Sequence, residues 1–476
     1  MRFSIAAYCI LLCSMHSQTG FAQSPTTEYF TIPIHDLNAF RDPGKNWVLA
    51  SDATTDFTIP GEMKPVKGNG VLVNSLLKNN NTHLITKEEF GDLELELDFM
   101  MAKNSNSGVY LQGRYEIQLF DSWARLNTKF DDCGGIYQRW DENRKEENKG
   151  YEGMAPLMNV SKAPGLWQHL KIKFRAPRFD GNGIKIANAR FEEVYLNGTL
   201  VQQQTDVTGP TQAAIFDNEK STGPLMLQGD HGAVAFRNIR YRLLQDPTIN
   251  RKRDSRVSNP ILVNPEAKPY LLRSFMNFNN KKLTHIISVG NPNQVNYSYD
   301  LKQGALFQVW RGEFLDVTQL WLDRGEPQLA SPLGSVTSLS DVPSIAVLSD
   351  DKTSWPDSIA FDDIQIKGYE LDSQRSPTFK YSFKGINVTD KITPQNKGES
   401  LLRVLTITNP PANLYCRIAS ASTIEHIRGD LYGINGKSYY IRIDKNFKPM
   451  IRQSQNGQEI IAQYQTANPL TYSIIW

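Results

Sequence analysis

Glu116, Asp121 and His231 are side chains of the kind that move protons, and the residues around them bear on what protons they could move. In Glu116-Ile-Gln-Leu-Phe-Asp121 a strict pleat puts Glu116 and Gln118 on one face and Asp121 on the other. A one-residue bulge after Gln118 would return Asp121 to the polar face, as happens beside active sites on concave sheets. His231 follows Asp230, and a histidine beside a carboxylate suits proton transfer or metal binding near neutral pH. Arg114 and Gln118 suit holding sugar hydroxyls, with Tyr137 and Gln228 as further ligand contacts. Trp123 and Trp140 offer flat faces for a sugar ring, whereas Trp167 reads as core beside Leu170. If a divalent ion takes part, Glu116, Asp121 and His231 are its expected ligands. Each acid has a plainer use. Glu116 could pair with Arg114, Lys171 or Lys173, Asp121 could cap Ser122-Trp123, and His231 could be a loop residue held by its Gly-flanked turn.

The elements that must carry these residues are strands. From Asn106 to Trp123 apolar and polar residues alternate, which reads as a strand with Leu111, Tyr115, Ile117 and Leu119 on a core face. Tyr110, Gln112, Arg114, Glu116 and Gln118 fall on the other face, a row suited to a sugar-binding groove. Leu93, Leu95, Leu97 and Phe99 make a second core face, and the intervening Glu94, Glu96 and Asp98 are expected to meet water. His169–Arg175, Ala189–Leu196, Pro224–Gln228 and Val234–Leu243 read as further strands, with a hairpin turn at Asn197-Gly198. Short strands between Gly, Pro and Asn turns, with no long 3.6-residue period, predict an all-β chain: a jelly-roll sandwich followed by a second β-rich, sandwich-like domain.

The chain has 476 residues, enough for two or three domains at roughly 100–200 residues each. A formal charge of +2 gives no electrostatic case for nucleic acid or an anionic membrane. Arg2, the apolar run Ile5 to Met15 and Gly20-Phe-Ala-Gln23 read as a signal peptide over 1–23, too short to span a membrane, so the protein is expected to be exported to the periplasm or beyond the cell. Cys133 and Cys416 remain after processing and are expected to be buried, unpaired thiols. Residues 24–245 are expected to form the jelly roll, the polar, basic stretch 246–258 a linker, and 259–476 the second domain. That domain carries strand-like runs such as Thr284–Val289 and Leu401–Thr408 and hairpin turns at Asn435-Gly436 and Asn456-Gly457.

The Glu116–Asp121 run resembles the catalytic strand of laminarinase-like β-glucanases, but Gln118 replaces the middle acid and Asp121 shortens the last. A retaining glycosidase needs two carboxyls about 5–5.5 Å apart, and these changes argue against that mechanism. A more extensive resemblance is to the 3-keto-disaccharide hydrolase family. It is carried by Asn106–Ser122, Asp132-Cys-Gly-Gly-Ile-Tyr137, Ala155-Pro156 with Asn159, Pro164-Gly-Leu-Trp-Gln168 and Phe174–Asp180, followed by Leu196-Asn-Gly198, Thr208-Gly-Pro-Thr211, Gly223–Gly232 and Phe236–Ile239. It covers roughly Tyr29 to Leu244 and implies a concanavalin-like jelly roll acting on glycosides oxidised at carbon 3. The chain departs from the family in an apparent extra Gly229 and a longer, more charged segment Arg139–Glu152. A non-catalytic carbohydrate-binding jelly roll is the alternative reading. In the second half, Trp310–Asp316, Trp321–Gly325, Gly368–Asp372 and Pro377–Tyr381 are similar to accessory regions of secreted bacterial sugar-dehydrogenase and cytochrome proteins, although no Cys-x-x-Cys-His haem attachment occurs.

Overall fold

The computed structural model describes residues 28–245, 259–322, 325, 327–465 and 468–476. The expected signal segment 1–23 and linker 246–258 lie outside them. Two sheets dominate the first half. The larger runs in the order Thr199–Val207, Ala189–Leu196, Trp167–Arg175, Leu93–Met101, Val234–Leu243, Lys64–Asn74 and Trp47–Thr54, with Phe30–Thr31 added along Val234–Leu243. The smaller runs Phe40–Arg41, Leu84–Phe90, Gly223–Leu227, Asn106–Leu111 and Tyr115–Phe120, paired antiparallel throughout.

Alternation explains how the sheets stack. Leu93, Leu95, Leu97 and Phe99 of the large sheet meet Val109, Leu111, Tyr115, Ile117 and Leu119 of the small one in a single buried cluster. The Asn-Gly turns form as expected. Asn197 (φ +52°) and Gly198 (φ +80°) join paired residues Leu196 and Thr199, and Asn435-Gly436 opens the four-residue turn between paired residues Ile434 and Tyr439.

One strand expectation fails. Asn106 to Trp123 is a hairpin, not a single strand: Asn106–Leu111 turns at Gln112-Gly113, both at positive φ (+56° and +64°), and returns as Tyr115–Phe120. Arg114 N–H donates to Leu111 O at 3.0 Å and closes the turn. The fold therefore sets Tyr110 opposite Glu116 and Gly108 opposite Gln118.

The second half is also β, in six-, four- and eight-stranded sheets. Its core cluster includes Phe57, Ala163 and Leu166 from the first half. The halves meet through further contacts. Trp123 Nε1 donates to Trp476 O at 2.9 Å, Trp167 N–H to Lys437 O at 3.2 Å, and the Phe57 and Tyr440 rings stack with centroids 5.6 Å apart. Among the described residues no helix is long and apolar enough to cross a membrane.

Candidate active site on the small sheet

Glu116 sits on the face of the hairpin turned away from the shared core. Glycine at 108 makes room for it, because a Cβ there would lie 2.1 Å from Glu116 Oε1. Thr211 Oγ1 accepts the Glu116 N–H at 3.2 Å and donates to Arg114 O at 3.0 Å, fixing the start of the strand. The strand's other edge is covered by the segment ending at Tyr137. Gln118 N–H donates to Gly135 O (2.9 Å), Gly134 N–H to Gln118 O (2.8 Å) and Tyr137 N–H to Glu116 O (3.2 Å).

The Glu116 carboxyl is buried, and burial pushes its pKa up to about 8. A hydrogen bond from Tyr110 opposes this shift, and the negative charge of Asp230 adds to it. The Tyr110 hydroxyl lies between this carboxyl and Gln212 O, 3.2 Å away. The Gln118 amide, oriented to satisfy its neighbours, donates to Ser107 O at 2.9 Å and Glu116 Oε1 at 3.1 Å. The plainer ion-pair roles are ruled out by where the cations go. Lys171 pairs with Glu94 and Glu96, Lys173 pairs with Glu192, and Arg114 turns to Asn218.

Beside Glu116 stands the turn after strand Gly223–Leu227. His231 Nδ1 and Asp230 Oδ1 are 2.6 Å apart, and Gln228 Nε2 is 3.4 Å from the same ring nitrogen. Gln228 Oε1 is buried without a hydrogen-bond partner. Asn74 Nδ2 donates to Gly229 O (3.0 Å) and Gly232 O (2.7 Å), and Asn46 Nδ2 donates to Asn74 Oδ1 (2.8 Å), so buried amides hold the turn from below. Gly229 has a use. A Cβ there would meet Thr82 O at 2.2 Å, and the close approach lets Gly229 N–H donate to His83 Nδ1 at 3.2 Å. Neutral His83 therefore carries its proton on Nε2. Burial lowers its pKa, against the Asp230 carboxylate 3.8 Å from Nδ1. Tyr137, half-buried, has its pKa raised first by burial and then by the charge of Glu116.

The fold thus gathers Glu116, Tyr110, Tyr137, Gln118 and the Asp230–His231–Gln228 turn. Three expected site residues serve elsewhere. Asp121 lies past a strand that keeps its register from Tyr115 to Phe120, so no bulge brings it back. Its Oδ2 accepts from Asn104 N–H (2.9 Å) and its Oδ1 from Trp123 N–H (3.4 Å), the capping role. Arg114 is 2% exposed, with Nη1 on Gln112 O (2.8 Å), Nη2 on Asn218 Oδ1 (2.9 Å) and its guanidinium over the Phe216 ring, so it ties down a loop rather than a ligand. Trp123 belongs to the junction with the second half. Nor do Glu116, Asp121 and His231 form a metal set: among the described residues no group of three or more His, Cys, Asp or Glu side chains could hold a metal ion. Tyr110 and His83 are the residues that sequence reasoning missed as site members. Tyr110 had a signal in its place on the polar row, while His83 had none, since its link to Gly229 spans 146 positions. Trp167 and both cysteines are buried as expected, and the cysteines are unpaired.

Sheet order and site geometry together define a jelly roll with a buried carboxyl, and hydroxyl, amide and imidazole groups beside it, on its smaller sheet. Residues 35–242 match the family model of the 3-keto-alpha-glucoside-1,2-lyase-like domain, which agrees with the motif resemblance. Among solved structures, two proteins of Parabacteroides distasonis ATCC 8503, each named a "putative glycosyl hydrolase", are similar to it. One is 20% identical, with 48% of this chain and 97% of that chain covered and a TM-score of 0.29. The other is 22% identical, with 46% and 100% covered and a TM-score of 0.27. The carbohydrate binding module CBM66 from Bacillus subtilis is 11% identical, with 45% and 94% covered and a TM-score of 0.22. No curated protein matches the chain.

Proposed function

We propose that the jelly roll cleaves glycosides oxidised at carbon 3, taking the C2 proton with Glu116. The observation that carries this reading is a buried carboxyl with no cation beside it among the described residues, ringed by hydroxyl and amide donors. The family match supplies the substrate class. A ketone at C3 acidifies the C2 hydrogen. Ionised Glu116 removes that proton, and the electron pair becomes a C2–C3 enolate. The enolate collapses back to the ketone as C1=C2 forms and the C1–O bond breaks. The departing oxygen takes a proton, and water then adds across C1=C2, so the net change is hydrolysis.

Each step has a residue suited to it. Glu116 works when ionised, so its active fraction rises with pH through about 8. A placed base accounts for about 10²–10⁴ in rate. Tyr137, held protonated by burial, can donate to the enolate oxygen, worth on the order of 10²–10³, while the Tyr110 hydroxyl stays on Glu116 and Gln212 O. His231, with Nδ1 anchored on Asp230, keeps Nε2 for the departing oxygen. Gln228 Oε1 is an acceptor awaiting a sugar hydroxyl. The leader-like sequence at the start of the chain fits an exported enzyme meeting such sugars outside the cytoplasm.

Incubation with a 3-keto-disaccharide and with its unoxidised parent tests the reading. Free sugar should appear from the keto form alone. Equal release from both would mark an ordinary glycosidase, and release from neither would remove the proposal.

A further inference from the structure

Away from Glu116, a cavity of about 430 Å³ opens where the two halves meet. Both halves build it: Thr55, Asp56 and Gly165 from the first, Glu425, Arg428, Lys437 and Tyr440 from the second. Two positive-φ positions shape it. Gly165 (φ +82°) faces Tyr440, whose hydroxyl a Cβ there would meet at 2.5 Å. Lys437 (φ +61°) is a non-glycine residue in the left-handed region, held there by Trp167 N–H on its carbonyl. Strain of this kind persists where surroundings over-determine it, often at ligand sites.

The charges in the lining cancel. Asp56 pairs with Arg428, Glu62 with Lys64, and Lys437 lies toward Glu425. Lys437 also pairs with Asp52, so no positive charge is left over to call for an anion. One gap remains in the hydrogen bonding. Lys437 Nζ is buried and carries three hydrogens; Asp52 and Ala53 O (3.0 Å) take two, while Glu425 Oε2 stands 3.8 Å off, beyond hydrogen-bond reach. A group that accepts from Lys437 and donates to Glu425 closes that gap, and a hydroxyl does both. Ile59, Ile427 and Leu431 give the same cavity an apolar wall, suited to the C–H face of a pyranose.

We propose that this junction cavity binds a neutral sugar unit, one hydroxyl bridging Lys437 and Glu425, as a second carbohydrate site distinct from the Glu116 site. Its volume lies within the usual range for small-ligand pockets, and domain junctions are a favoured place for them.

The test uses the full chain carrying Glu116→Gln, titrated with unoxidised cellobiose, maltose and trehalose, and with inorganic phosphate as the charged control, followed by calorimetry and ligand-observed NMR. At least one disaccharide should bind saturably at one site, and phosphate should not. Glu425→Leu, at a half-exposed side chain, should weaken binding about tenfold or more. Ile59→Trp, also at an exposed position, should block the cavity and abolish binding. Melting curves matching the parent's show that both variants are folded. Absence of saturable sugar binding, binding indifferent to both substitutions, or preference for phosphate would overturn the proposal. Cleavage of a keto-disaccharide by the unmodified chain reports the Glu116 site separately, so either idea can fail while the other stands.

Discussion

Glu94 and Glu96 on the large sheet and Glu116 on the small one are all buried, at 3%, 6% and 2% exposure, yet their surroundings differ in kind. The large-sheet pair was expected to face water. Instead it lies beneath a layer of cations: Lys171 reaches both acids, Arg242 reaches Glu94, Arg240 reaches Glu96, and the Tyr29 hydroxyl contacts both. Asp98 continues the row with His169 and Arg237. Burial works to raise the pKa of Glu94 and Glu96, but hydrogen bonds from Tyr29 and Lys171, with Arg242 or Arg240, outweigh it and hold both low. Around Glu116 burial wins, because among the described residues no cation answers it. A buried acid that is fully paired is a structural element. One left unpaired weakens the fold when ionised, and it persists here beside groups suited to proton transfer.

The largest effect that would break this contrast is on catalysis. Glu116→Gln should reduce sugar release from a 3-keto-disaccharide by about 10²–10⁴, measured as initial rate. The same substitution should raise stability in alkali. With its folded pKa raised from 4.5 to about 8, ionisation of Glu116 costs the fold progressively between those values and fully above the upper one, and Gln removes that cost. Melting temperatures at pH 6 and pH 9 should show the variant's advantage growing with pH. Asp230→Asn, which weakens the hold on His231, should cost less, on the order of 10² in rate at the low end of general acid–base contributions.

On the large sheet the sign reverses. The depressed pKa values of Glu94 and Glu96 give stability that is present above their ordinary value of 4.5 and lost as pH falls through the folded values. Lys171→Met should cost about 1–2 kcal/mol at neutral pH by denaturant titration, with the loss shrinking in acid and sugar release unaffected. The smallest effect belongs to Asp121→Asn. It should cost under about 1 kcal/mol and leave cleavage near that of the parent, since Asp121 only caps Asn104 and Trp123. A loss of rate as large as that of Glu116→Gln would return Asp121 to the site.

Much of this was legible along the chain because it is local. Alternation at Leu93–Phe99 and the Asn-Gly turns need only neighbouring residues, and those elements formed as read. Glu116, Gln118, Tyr137, Gln228 and His231 were named from short motifs, and the fold brings them near one another. The failures share a cause. Gln112-Gly113 reverses the chain, so residues either side of it pair across a hairpin rather than line one strand, and Arg114 lands at the turn. Asp121 depended on a bulge that the Asn106–Leu111 pairing does not contain. Trp123 and the Glu94–Glu96 row were misplaced because their partners lie far away in sequence, at Trp476 and at Arg240 and Arg242.

The most direct measurement follows hydrogen at C2. A 3-keto-disaccharide incubated in deuterated buffer should recover deuterium at C2 in substrate or product with the parent chain, with a rate that climbs as pH approaches about 8, and no exchange above background with Glu116→Gln. Exchange at the parental rate in that variant, or sugar release with C2 hydrogen fully retained, would contradict the assignment of Glu116 as the base.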